Sequence, residues 1–185
     1  EIHTITERAM AGELSYAESL RERASLLAGL DAAAADRAYD GVRLRPGAGE
    51  LLRSLGEAGV PTAILTGGFE AGVEAALAHA DASVDRLVAN RLPVEDGRLT
   101  GDVDGPLVEG TKDEALRSVA DAFGVDVADT VAVGDGANDV PMLDAAGAAV
   151  GFQPKSAVRP HCDVEVETME ELRRYLISAD LLDVS

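Results

Sequence analysis

Tryptophan is absent from this chain, aromatic residues make up 3% of it, and there is a single cysteine. A lone thiol, Cys162, forms no internal disulfide, which fits a reducing compartment and makes the cytoplasm the expected location. Also missing is any run approaching the roughly 20 uncharged residues that a bilayer crossing needs. That holds although 46% of the residues are apolar, and no basic-then-apolar leader opens the sequence. The chain therefore reads as soluble. Positive charge is scarce too: 16 basic residues face 34 acidic ones, for a formal net charge of −18, and only Lys112 and Lys155 are lysines. Such a field repels polyanions, so neither nucleic acid nor an anionic membrane is expected as a partner. An anionic small-molecule substrate must be attracted locally, against the field of the whole molecule. The acidity, the shortage of lysine and the low aromatic content suggest a surface kept soluble in concentrated salt. They point to a salt-loving archaeal source, with a GC-rich bacterial genome as the alternative.

What is present is a regular alternation. At 185 residues the chain suits one sizeable core with a small helical appendage. Before Pro46 the pattern is helical, with apolar Leu20, Ala24 and Leu27 following the capping box Ser15-Tyr16-Ala17-Glu18. After Pro46 the spacing predicts a helix over residues 48–58 that ends at Gly59. A strand over 60–65 runs into the glycine loop Thr66-Gly67-Gly68, and a helix follows over 70–80. A second strand is expected over 83–89, and Val94-Glu95-Asp96-Gly97-Arg98-Leu99 carries the Asp-Gly turn of a hairpin, as edge decoration or flap. Thr111-Lys112-Asp113-Glu114 caps a helix, residues 130–133 form a buried-type strand, and Gly134-Asp135-Gly136-Ala137-Asn138-Asp139 leads into a helix through 146. Strands over 148–152 and 164–166 and a helix capped by Thr168 complete the chain. This succession predicts an α/β fold with a mostly parallel sheet covered on both faces.

In such a sheet the loops leaving the carboxyl ends of the strands share one edge, where ligands bind. Thr66, followed by two glycines, offers a hydroxyl and unobstructed N–H groups to an oxyanion; a plain glycine turn is the alternative. The loop from Gly134 to Asp139 crowds two carboxylates and an amide at a strand end, as a hard divalent cation requires, or else forms an Asx turn that starts the next helix. Lys112 stands at a helix start, where the helix dipole disfavours a cation unless an anion faces it, and otherwise reads as a surface lysine. Lys155 reads as a solvated loop lysine. His3, His79 and His161 form no ligand-like cluster.

These elements, in this order, resemble the haloacid dehalogenase superfamily. Thr66-Gly67-Gly68-Phe69, Ala89-Asn90-Arg91-Leu92, Asp96-Gly97-Arg98-Leu99-Thr100-Gly101 and Gly134-Asp135-Gly136-Ala137-Asn138-Asp139 are similar to its phosphoserine phosphatase branch. So are Ile5-Thr6-Glu7-Arg8-Ala9-Met10 and Ser19-Leu20-Arg21-Glu22-Arg23. The resemblance implies a three-layer Rossmann-like core over residues 46–185 with a helical cap over residues 1–45. It implies hydrolysis of O-phospho-L-serine, the last step of serine synthesis, through an aspartyl-phosphate with Mg2+ as cofactor. Thr66 and the Gly67 amide would hold phosphate oxygens, Lys112 would neutralise charge on the transferring group, Asp135 would ligate the metal, Asn138 would contact phosphate, and Asp139 would orient Lys112 or a metal-bound water. Arg23 would grip the substrate carboxylate, and Met10 and Tyr16 would close over the serine moiety, or serve as helical core. Tyr16 stands where the resemblance calls for phenylalanine, and Thr66 where serine is commoner. A monomer or homodimer is expected. The alternatives are a phosphatase for phosphohomoserine or a small sugar phosphate, or a phosphate-binding module without chemistry. The family's Asp-x-Asp-x-Thr motif, which ends the first strand and supplies the nucleophile, does not occur in the chain. The resemblance therefore implies a missing first strand upstream of Glu1, a sheet that is either split or completed by a strand from another copy, and no turnover by these residues alone.

Overall fold

The computed structural model describes Ile5 and residues 14–183. Two helices lead the described chain. The helix α1, Tyr16–Ser25, starts on the anticipated capping box: Ser15 accepts from the Glu18 N–H, and the Glu18 carboxylate accepts from the Ser15 N–H at 2.8 Å. The helix α2, Ala32–Tyr39, is capped by the Asp31 side chain. There follow α3 (Ala48–Glu57), β1 (Ala63–Phe69), α4 (Glu70–His79), β2 (Arg86–Asn90), β3 (Val94–Glu95), β4 (Arg98–Leu99) and α5 (Lys112–Phe123). The chain continues with β5 (Val131–Gly134), α6 (Val140–Ala145), β6 (Ala148–Phe152), β7 (Val164–Val166) and α7 (Met169–Ser178).

The chain divides into two compact units. The first comprises Glu1–Arg43, Thr66–Ala76 and Val88–Gly110. Its small core joins Ala17 and Leu20 of α1 to Val108, with Phe69 and Val103 packed against them. The β3–β4 hairpin turns at Asp96 and Gly97, both at positive φ (48° and 75°), as the Asp-Gly pair requires. The hairpin is fastened to the α1–α2 connection, where Gly29 donates to the Leu99 carbonyl at 2.8 Å and Leu99 to the Leu30 carbonyl at 2.8 Å.

The second unit comprises Leu44–Leu65, Leu77–Leu87 and Thr111–Ser185. Its strands β5, β6 and β7 lie side by side in parallel, in a register that pairs Val131 with Ala148 and Val150 with Val164. Alternate residues of these strands face opposite ways, so both faces are covered. Val150, Phe152 and Val166 pack on Leu51 of α3 and on Leu172 and Leu176 of α7. Ala132 and Ala149 pack on Leu116 of α5 and on Met142 and Leu143 of α6.

The parallel sheet is divided, as the lack of a first strand leads one to expect: among the described residues β1 pairs with β2, and β5 pairs with β6 alone. Between them a cleft of about 600 Å³ is bordered by Ala63, Ile64 and Leu65 on one side and by Val131, Ala132 and Val133 on the other. The boundaries of β1 also differ from the sequence reading, which ends the strand before the glycines. Pro61 has no N–H to give, and Thr62 directs its own to the Asp85 carboxylate at 2.8 Å, so the strand begins late. It then continues extended through Thr66, Gly67 and Gly68, which makes Thr66 a strand residue rather than the first of a loop. Because the Asp85 carboxylate is engaged there, β2 likewise begins at Arg86 rather than at residue 83.

Candidate active site

Within the second unit, the Gly134–Asp139 loop is built around one carboxylate. Asp139, 4% exposed, accepts from the backbone N–H of Asp135 at 2.9 Å and of Gly136 at 3.0 Å through Oδ2. Its Oδ1 takes the Lys112 Nζ at 2.5 Å. Gly134 must lack a side chain, because a Cβ there would lie 2.5 Å from that of Asp139. Burial pushes the Asp139 carboxyl up, but the hydrogen bonds from Lys112, Gly136 and Asp135 and the charge of Lys112 outweigh it and hold the group below the usual carboxylate range. The lysine at the head of α5 has thus found its anion. A short 3-10 turn, Ala137–Asp139, and then Pro141 start α6, so the loop does begin a helix, while its buried carboxylate is held by Lys112 and two backbone N–H groups.

Lys112, Asp135 and Asp139 all line the 600 Å³ cleft. Asp135 is part-exposed at the carboxyl end of β5, and Asn138 is exposed on the 3-10 turn with its Oδ1 over Gly136. Among the described residues no three of His, Cys, Asp and Glu are grouped as a complete metal cage. The donor set still suits a magnesium ion, which keeps several waters and takes one or two carboxylates plus phosphate oxygens. Asp135 is the carboxylate available, since Asp139 is committed to Lys112 and two amides.

Within the first unit, Thr66, Gly67, Tyr16 and Arg23 come together. The Tyr16 hydroxyl donates to the Gly67 carbonyl at 3.1 Å, and the Gly68 N–H donates to Thr66 Oγ1 at 3.0 Å. Burial raises the Tyr16 phenol above its ordinary value, against an opposing pull from the Arg23 charge. Arg23 also donates through Nε to the Ser19 carbonyl at 3.2 Å, which holds its stem along α1. Met10 lies outside the described residues.

One residue that the sequence reading quoted within a motif but gave no role belongs to these constellations. Asn90, wholly buried, donates through Nδ2 to the Gly67 carbonyl at 3.1 Å and accepts from the Leu107 N–H at 3.0 Å. An asparagine at the end of a strand, where its type is disfavoured, was the available signal. Lys155 is exposed in a loop, as the sequence reading has it, and its backbone N–H donates to the Asp135 carbonyl at 3.0 Å.

Comparison with known proteins places this geometry. The family described as haloacid dehalogenase-like hydrolase matches residues 2–144. A phosphoserine phosphatase of Halobacterium salinarum is 60% identical over 176 residues, 95% of this chain and 83% of that protein. A structure of a substrate-bound phosphoserine phosphatase complex superposes with a TM-score of 0.82 at 36% identity, covering 94% of this chain and 83% of the other. Another, of a phospho-aspartyl intermediate analogue of phosphoserine phosphatase, gives 0.80 at 36% identity and covers 94% and 84%. The chain belongs to the haloacid dehalogenase-like hydrolase family.

Proposed function

We propose that the protein hydrolyses O-phospho-L-serine to serine and inorganic phosphate. The observation that carries the reading is the buried Lys112–Asp139 pair, 2.5 Å long, facing a cleft beside the Asp135 carboxylate. A fixed cation and a cation-seeking carboxylate at a strand end suit a phosphoryl group, whose charge grows on its peripheral oxygens during transfer. Asp139 holds the ammonium in place, so Lys112 meets that charge without reorganising. Thr66 Oγ and the Gly67 N–H hold phosphate oxygens, and Asn138 adds a contact. Asp135 holds Mg2+, which when bound supplies Lewis-acid stabilisation of phosphate charge. Arg23 takes the substrate carboxylate with its planar fork, and Met10 and Tyr16 cover the serine moiety; residues 1–45 make up a helical cap and residues 46–185 the core.

The phosphoryl acceptor in this chemistry is an aspartate, and no Asp-x-Asp-x-Thr segment occurs in the chain. The cleft between β1 and β5 supports a strand carrying that motif as its occupant: both bordering strands are apolar, and Lys112 and Asp135 line the same space. On this reading residues 1–185 alone turn over no phosphoserine. The full-length protein is expected to release phosphate from phosphoserine faster than from phosphohomoserine or small sugar phosphates, and to stop when the metal is chelated by EDTA. Equal rates on all three would remove the substrate assignment, and turnover unaffected by EDTA would remove the metal.

A further inference from the structure

Gly67 presents its carbonyl to two donors at once, the Tyr16 hydroxyl and Asn90 Nδ2, each at 3.1 Å. The N–H of the same peptide unit, that of Gly68, is taken by Thr66 Oγ1 at 3.0 Å. A peptide unit is rigid and planar, so holding both ends fixes its orientation. Asn90 cannot drift, because it is buried and bonded also to the Leu107 N–H. Tyr16 stands in the first turn of a capped helix, and its ring reaches Gly67 so closely that a Cβ on that residue would sit 2.0 Å from the hydroxyl oxygen. Tyrosine at 16 and glycine at 67 are therefore matched. Thr66 Oγ1 accepts from Gly68, which leaves its own proton to be donated elsewhere.

We infer that Tyr16 is a positioning residue for the phosphate grip, not only a wall around the serine moiety: with Asn90 it sets the Gly67–Gly68 peptide, and through it the aim of the Thr66 hydroxyl and the Gly67 N–H. A phenylalanine, which the family resemblance calls for here, would supply the ring and leave Asn90 as the carbonyl's sole side-chain partner. In this chain the seat of α1 is coupled to the strength with which phosphate is held. The phosphate assignment rests on the reading given under Proposed function.

The test uses the full-length protein and Tyr16→Phe, which keeps the ring and removes one hydroxyl. Binding of inorganic phosphate is measured by calorimetry, alongside KM and kcat for phosphoserine and for a phosphomonoester lacking the carboxylate. The dissociation constant for phosphate, and KM for both substrates alike, are expected to rise roughly three- to tenfold, the scale of one neutral hydrogen bond. The thermal midpoint should stay within a degree or two. An unchanged phosphate affinity with a lowered midpoint would make the hydroxyl a purely structural strut and overturn the proposal. A loss confined to phosphoserine would overturn it too, by placing the hydroxyl on the serine end. Calorimetry needs no turnover, so if phosphoserine is not hydrolysed the substrate reading fails while the comparison of phosphate affinities still decides this one; absence of phosphate binding by the unsubstituted protein overturns it outright.

Discussion

A lysine at a helix start works against the helix dipole unless an anion faces it, and at Lys112 that anion is Asp139. Removing the ammonium leaves a buried carboxylate short of its strongest partner and the transferring phosphoryl without a fixed countercharge. Lys112→Ala in the full-length protein is therefore expected to lose at least about 10²-fold in turnover, the scale for one preorganised charge stabiliser; near-normal rates would reject the assignment. The same pair makes a pH statement. The Asp139 carboxyl is held below the usual range in the fold, so it stabilises the fold above the unfolded-state value of about 3.9, and that contribution is lost as pH falls from there through the folded-state value. In urea unfolding at several pH values, the stability gap between the native protein and Asp139→Asn should be constant from neutral pH to about 5 and close below about 4. A gap that widened in acid would contradict the sign. Arg23 is tested by shape rather than charge: Arg23→Lys should impair phosphoserine far more than a phosphomonoester lacking the carboxylate, because a point charge does not reproduce a two-pronged grip.

Elements differ in how much of them a sequence can announce. The helix α1 depends on local contacts, the reciprocal bonds between Ser15 and Glu18, and was readable for that reason. Ser15→Ala should cost about 1 kcal/mol in unfolding free energy, with the Glu18 backbone N–H left without its Oγ acceptor at the cap; no change would mean that packing of Leu20 and Ala24 alone holds the helix. Strands β6 and β7, apolar runs between turns, fell where periodicity put them. The start of β1 did not, because Asp85 takes the Thr62 N–H from 23 residues away, a contact no local window contains. The site follows the same rule. Lys112, Asp135 and Asp139 were legible from position at element ends, whereas Asn90 joins Gly67 to Leu107 across 23 and 17 residues and has meaning only once the chain is folded. The division of the sheet was legible through an absence, the lack of any strand ending in paired aspartates.

At the scale of the whole molecule the excess of 18 negative charges is the largest single bias, and it sets two effects of salt against each other. Exposed ion pairs such as Arg21–Glu109 and Arg174–Glu170 are weakened by salt, but each contributes only about 0–1 kcal/mol. Repulsion among 34 acidic residues with only 16 basic ones to offset them is weakened as well, and it acts over the whole surface. The Debye length falls from about 10 Å at 0.1 M to about 3 Å at 1 M, below the spacing of most surface carboxylates, so the repulsive sum should fade fastest. The thermal midpoint is therefore expected to rise between 0.1 M and 1 M KCl, a salt chosen because it adds little of the exclusion effect of sulfate. Neutralising three exposed acids, Glu57→Gln, Glu95→Gln and Asp121→Asn, should raise the midpoint at 0.1 M and flatten its dependence on KCl. If the triple variant is instead destabilised at low salt while its salt slope is unchanged, the acidic surface does not act through self-repulsion, and the composition reflects something other than tolerance of concentrated salt.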